Sequence, residues 1–140
     1  LLPWGFIPSP IDRIRDDWHM MTGIARDVAR EHGTTDDLAA MDTAPAGAAA
    51  YLYIPSFVPI ADDTCGDLLF VDLREGEDHG RVGHWSGDDG YHGADHGYMS
   101  WTSVAHMART LADALEAGRW DSGGADMILA VTPQGAHDQR

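Results

Sequence analysis

The chain has 140 residues, enough for one domain that builds its own core without disulfides or metal staples. Its single cysteine, Cys65, excludes an internal disulfide and a cysteine-based zinc site, so a reducing, cytoplasmic setting is expected. Twenty-three acids against nine bases, all arginine, give a formal charge of −14, which argues against binding nucleic acid or an anionic membrane and favours a cationic protein partner.

No apolar run reaches the eighteen or more residues that a membrane span needs, and the first residues lack the charged and small-residue pattern of a signal peptide. Leu1-Leu2-Pro3-Trp4 reads as the middle of a fold, which leads us to expect a preceding segment. Ser9-Pro10 then opens a predicted helix over 10–30, with serine as the cap and proline at the first helical position. Ile11, Ile14, Trp18, Met21, Ile24 and Val28 fall at helical spacing and predict its core-facing stripe, which runs toward Gly33.

Residues 34–50 are small and alanine-rich and predict a surface loop with a short helix around 37–41. The β-branched and aromatic residues of 51–60 predict extended chain, while Pro55 and Pro59 confine it to an edge, a bulge or a strand end. Asp62-Asp63-Thr64-Cys65-Gly66 supplies the side-chain acceptors and the glycine of a tight turn. The nearly continuous apolar run 68–73 predicts a central strand covered on both faces. A charged turn over 74–80 leads to a returning strand at 81–85.

The stretch 86–97 is rich in Gly, Asp and His and predicts an exposed loop. Ser100, Thr102 or Ser103 caps a second helix over 103–117, in which Val104, Met107, Ala108, Leu111, Ala112 and Leu115 repeat at three- and four-residue intervals before Gly118. Residues 127–131 form a last strand or a packed tail, and 132–140 are expected to fray. There is no internal repeat, and the reading is one domain over 1–140, with its core at about 1–118 and a peripheral tail at 119–140.

Several chemistries compete with a binding role. His79, His84, Asp88, Asp89, His92, Asp95 and His96 offer imidazole and carboxylate ligands for a metal-dependent hydrolase built on loop 79–96. Gly87, Gly90, Gly93 and Gly97 each weaken a helix there by about 1 kcal/mol relative to alanine, so the four-residue spacing of His92 and His96 loses its geometric meaning. Asp88-Asp89-Gly90 lacks the alternating oxygen ligands of a calcium loop. Crowding of Asp62, Asp63 and Asp67 would suit acid/base work, but turn formation explains them more simply. Neither Ser86 nor Ser122 lies in a Gly-x-Ser-x-Gly elbow, and a chain without lysine has no phosphate loop of the lysine-bearing kind. We therefore expect no catalytic residue, no metal and no cofactor.

The run 60–73, followed by Gly80-Arg81-Val82-Gly83-His84-Trp85, resembles the central hairpin of the SUKH superfamily, which includes fungal cell-wall-assembly regulators linked to killer-toxin resistance. The residues that carry the resemblance are Ile60, Asp62, Gly66, Asp67, Asp72, Val82 and Trp85, and the helix through Trp18 and the one over 102–118 extend it. The resemblance implies a helical segment and an acidic turn ahead of the position matching Leu1, which leads us to expect that they precede it, and the Gly/Asp/His content of 86–97 departs from the family pattern. The resemblance implies an α+β domain, with a twisted, mainly antiparallel sheet built around a hairpin over 58–85 and packed by helices. It also implies a non-enzymatic protein-binding role: in bacteria an immunity protein that neutralises a toxin, often a basic nuclease, and in fungi a regulatory scaffold in cell-wall synthesis or signalling. Exposed acids and aromatics of the long polar loop, Asp88, Asp89, Tyr91, Asp95 and Tyr98, are the expected partner contacts.

Overall fold

A computed structural model describes residues 5–96 and 100–118. The elements are β1 (Ile7–Pro8), α1 (Ile11–His32), α2 (Thr35–Thr43), β2 (Phe57–Asp62), β3 (Leu68–Asp72), β4 (Arg81–Trp85) and α3 (Val104–Glu116). The four strands form one antiparallel sheet in the order β1-β2-β3-β4. The expected α+β architecture is therefore present, and the apolar run of β3 takes an interior place beside β2 and β4.

Both faces of β3 are covered because its side chains alternate between two cores. Leu68 and Phe70 join Phe57, Trp85, Tyr53 and Tyr91, against which Trp18, Met21, Leu38 and Met41 of α1 and α2 pack. Leu69 and Val71 face the other way, toward Phe6, Val82, Trp101 and Met107, the last of these on α3. Strand β2 keeps this arrangement through an irregularity between Pro59 and Ala61, which leaves Ile60 and Ala61 on the same side as Leu69. Proline cannot donate to the ladder, and the bulge falls beside it.

Four expectations about the packing need correction. The sequence predicts extended chain from Tyr51, but the strand starts at Phe57; Leu52, Tyr53 and Ile54 are buried as irregular chain that fills the first core. Ser9 does not cap α1: Pro10 takes the cap position, the Ser9 hydroxyl bonds to no helix N–H, and the Ser9 N–H donates to Ile60 O at 2.9 Å. The buried positions of α1 are Thr22, Ala25 and Ala29, with the predicted Trp18 and Met21 packed partly buried beside them, whereas Ile11, Ile24 and Val28 are exposed. With Ala25 and Ala29 in the first core, Ile24 and Val28, one position before each, fall on the solvent side of the helix. In α3 the buried positions are Met107 and Ala114, with Val104 and Leu115 exposed.

The helix ends obey their local chemistry. Gly33 ends α1 at φ 68°, and Thr34 N–H closes the turn on Ala29 O at 2.8 Å. Ser103 caps α3 by accepting the His106 N–H at 3.0 Å. The short helix expected around 37–41 is α2. The readings placed on residues 1–4, on Tyr98, on 127–131 and on the terminal tail lie outside the described residues.

The loop after β4 is not uniformly exposed. Ser86 and Gly90 pair with each other, and Tyr91 then pairs with Ala50 and turns its ring into the core at 4% exposure. Gly83 makes room for it: a Cβ there would lie 2.7 Å from Phe70 Cζ and 2.9 Å from Tyr91 Cε1. The Tyr91 ring stands edge-on to Phe57 and Phe70, which stack on each other with centroids 4.0 Å apart. Such pairs add about 0.5–1.5 kcal/mol each beyond area burial.

Candidate functional site

Carboxylates flank the sheet at both ends of β3, a single buried one at its C-terminal end and a cluster at the other. At the C-terminal end Asp72 is fully buried. Its Oδ1 accepts the Arg74 N–H at 3.1 Å and Arg74 Nε at 3.0 Å, and its Oδ2 accepts Arg74 Nη2 and the Gly47 N–H, each at 2.8 Å. Arg74 also donates to Met41 O at 3.0 Å and Ala48 O at 2.6 Å, and its guanidinium lies over the Phe57 ring, 5.1 Å from the centroid. A buried charge is tolerated only when it is paired and hydrogen-bonded. Here the pair ties residues 41–48 to the exit of β3, which is a scaffold task rather than a recognition one.

At the opposite end the turn between β2 and β3 is built by its own aspartates. Asp62 Oδ1 accepts the Thr64 N–H at 2.9 Å, and Asp63 Oδ1 accepts the Cys65 and Asp67 N–H groups at 2.8 and 3.1 Å. Thr64 takes φ 64°, an unusual value for a β-branched residue, and Gly66 takes φ 102°. Asp67 links this turn to the tip after β4: Oδ2 meets His84 Nε2 at 2.8 Å and Oδ1 accepts the Gly87 N–H at 3.0 Å. The two turns touch closely, since a Cβ on Gly87 would sit 2.9 Å from Gly66 O. Asp88 and Asp89 ride on that tip, exposed, with their N–H groups donating to Ser86 Oγ at 3.3 Å.

Helix α1 completes the open end. Arg13 reaches Asp17 at 3.5 Å and Asp62 at 3.2 Å across a shallow groove of about 200 Å³. Met20, Met21 and Leu68 line the groove with Asp17, Asp62 and Asp67. The sequence reading missed Arg13 and Asp17 as parts of this end, because nothing in their spacing announces a partner some fifty positions away. It missed Arg74 for a different reason, since a charged residue in a charged turn reads as solvated.

The expected contact residues separate. Asp88 and Asp89 stand at the open end. Asp95 comes after Ala94, whose N–H donates to Gly47 O at 2.8 Å, and so lies toward the Asp72 end. Tyr91 cannot be an exposed contact, because it is a core residue. Of the residues that carried the family resemblance, Val82 and Trp85 are buried on opposite faces of β4, and Ile60 sits at the β2 irregularity. Asp62, Gly66 and Asp67 form the open-end turn, and Asp72 forms the buried pair.

The histidines are also dispersed: His79 Nδ1 meets Arg74 O at 2.9 Å, His84 meets Asp67, and His92 lies 3.9 Å from Asp89. Among the described residues no three His, Cys, Asp or Glu side chains converge in a way that could hold a metal ion. Cys65 is exposed on the turn. Among the described residues no helix is long and apolar enough to cross a membrane.

A family model described as the SMI1 / KNR4 family (SUKH-1) matches residues 2–115 of the chain. A KNR4/SMI1 homolog from Yarrowia lipolytica (strain CLIB 122 / E 150) is 33% identical over 97 residues, a stretch that covers 67% of this chain and 13% of that protein. The chain thus spans only a small part of its relative's length. The matched range takes in every described strand and all but the last residue of α3.

Proposed function

The chain belongs to the SMI1/KNR4 family (SUKH-1), whose members are in general non-catalytic, and from that premise we propose that it is a protein-binding domain that neutralises a basic toxin. A nuclease is the toxin class that fits best, because an enzyme that grips phosphate presents a cationic groove to an acidic partner. The observation that carries the reading is the set of half-buried and exposed carboxylates at the open end, Asp62, Asp63, Asp67, Asp88 and Asp89, on a protein of net charge −14. The carboxylates of Asp62, Asp63 and Asp67 are held by backbone N–H groups, so ordering them costs little on binding. Asp95, on the other side of the same loop, widens the acidic surface. The partner meets the chain in the cytoplasm, and no cofactor takes part.

The test is direct. The product of the neighbouring gene is coexpressed with this chain, and binding is then measured at low and at high salt. Toxicity relieved by coexpression, with an affinity that falls by about tenfold or more as salt screens the interface, is the expected outcome. A neighbouring product that neither binds nor is neutralised overturns it.

A second reading, a regulatory scaffold in cell-wall synthesis or signalling, draws support from the identity to the Yarrowia lipolytica homolog. It predicts a phenotype in wall integrity rather than in toxin resistance.

A further inference from the structure

The groove between α1 and the β2–β3 turn combines two properties that general acidity does not explain. Its floor is apolar, formed by Met20, Met21 and Leu68, and Met20 stays 54% exposed. Its walls carry the carboxylates of Asp17 and Asp62, both paired with the Arg13 guanidinium, and beside them Asp67, whose oxygens meet His84 Nε2 and the Gly87 N–H. Arg13 spans Asp17 at 3.5 Å and Asp62 at 3.2 Å, with 55% of its side chain exposed. The groove therefore already accommodates one guanidinium from its own chain and keeps an excess of negative charge.

A ligand that fits such a place has an aliphatic stem for the floor and a delocalised cation for the walls. Arginine has both, and its planar fork suits pairs of carboxylate oxygens better than a lysine ammonium does. Methionines suit the floor, since their unbranched thioethers repack around an incoming stem. We propose that this groove is the docking site for an arginine side chain of a protein partner, with its stem over Met20 and Met21 and its guanidinium against Asp17 and Asp62. In this arrangement Arg13 is an intramolecular placeholder that yields its carboxylates to the incoming side chain. The proposal rests on the reading that the chain binds a basic protein, and it names the point of entry.

The experiment uses the whole chain and a minimal probe. The acetylated and amidated peptide Gly-Arg-Gly is titrated into isotope-labelled protein, beside a control in which the uncharged isostere citrulline replaces arginine. Shifts gathered on the Thr64, Gly66 and Asp67 amides and on the Met20 and Met21 methyl groups are expected with arginine, and binding about tenfold weaker or worse with citrulline. Asp17→Asn weakens the arginine peptide by about threefold, whereas Arg13→Ala tightens it by a similar factor because a competing cation is gone.

Shifts that scatter, that gather instead at Asp88 and Asp89, that are equal for citrulline, or that are unchanged or weakened by Arg13→Ala overturn the assignment. Failure here is separable from failure of the toxin reading. A neighbouring basic protein that does not bind, beside an arginine footprint that persists in the groove, removes the toxin and keeps the groove. A protein complex unaffected by Asp17→Asn and Met20→Glu, with no peptide footprint, removes the groove and keeps the toxin.

Discussion

Asp72 and Asp67 sit at opposite ends of the same hairpin and carry the same functional group, yet water treats them differently. Asp72 is enclosed, with four donors sharing its two oxygens. Asp67 is half-exposed, and its bonds to His84 and Gly87 leave lone pairs to spare. The difference lies less in the aspartates than in the residues on their C-terminal side. Behind Asp72 comes an arginine that folds back onto it and onto the loop of Met41 and Ala48. Behind Asp67 comes an apolar strand, so the carboxylate must find its partners on another turn. A charge enclosed in this way holds the fold together, and a charge left at the rim stays available to a partner.

The comparison breaks first if the enclosed end proves dispensable. Arg74→Ala strands a buried carboxylate and is expected to cost about 3–5 kcal/mol, read as a lower midpoint in urea unfolding. Replacing both members of the pair with apolar residues of similar volume should cost less than that single change.

Alkaline pH gives the next largest effect, again at the enclosed side. Burial pushes the Tyr91 hydroxyl up to about 12, with Asp72 adding to the rise and Arg81 and Arg74 opposing it. The folded state thus holds the Tyr91 proton more tightly than the unfolded chain does. The stability this confers is complete below pH 10 and is lost as pH climbs from 10 toward 12. Tyr53, raised further by burial, acts in the same direction. Unfolding measured at pH 9 and at pH 11.5 should show the loss, and Tyr91→Phe should remove part of it.

Asp67→Asn tests the open end and is expected to cost about 1 kcal/mol through weakened bonds to Gly87 and His84. Thermal melting checks it, and a loss as large as that of Arg74→Ala would erase the contrast between the ends. Smallest of all, Asp88→Asn with Asp89→Asn should leave stability within about 0.5 kcal/mol. The double change should nonetheless slow association with a cationic partner at low salt, which stopped-flow mixing would detect.

Legibility in the sequence divides along similar lines. Strands β3 and β4 can be read within a residue, because an apolar run, a Gly-bounded turn and a short return leave little choice of pairing. The stop at Gly33 is equally plain, whereas the α3 cap is legible only as a choice among Ser100, Thr102 and Ser103, of which Ser103 is the one used. The buried face of α1 is only partly legible: the predicted stripe finds Trp18 and Met21, but hydrophobic size marks Ile24 and Val28 where the neighbouring Ala25 and Ala29 are the ones buried. Tyr91 is hidden by its neighbours, whose Gly, Asp and His content signals solvent; the clue is Gly83 on the facing strand, where a missing side chain leaves room for a ring. The open-end groove needs tertiary structure, because Arg13 and Asp62 meet only once the helix lies beside the turn.

The clasp made by Arg74 also couples two parts of the chain. Because the residue that grips Met41 O and Ala48 O lies just past the end of β3, the 41–48 segment and the hairpin are expected to open as a single cooperative unit. The Gly47 amide, although it belongs to a loop, should exchange with deuterium as slowly as the amides in the middle of β3, so that a stretch without regular structure reports the global unfolding of the molecule.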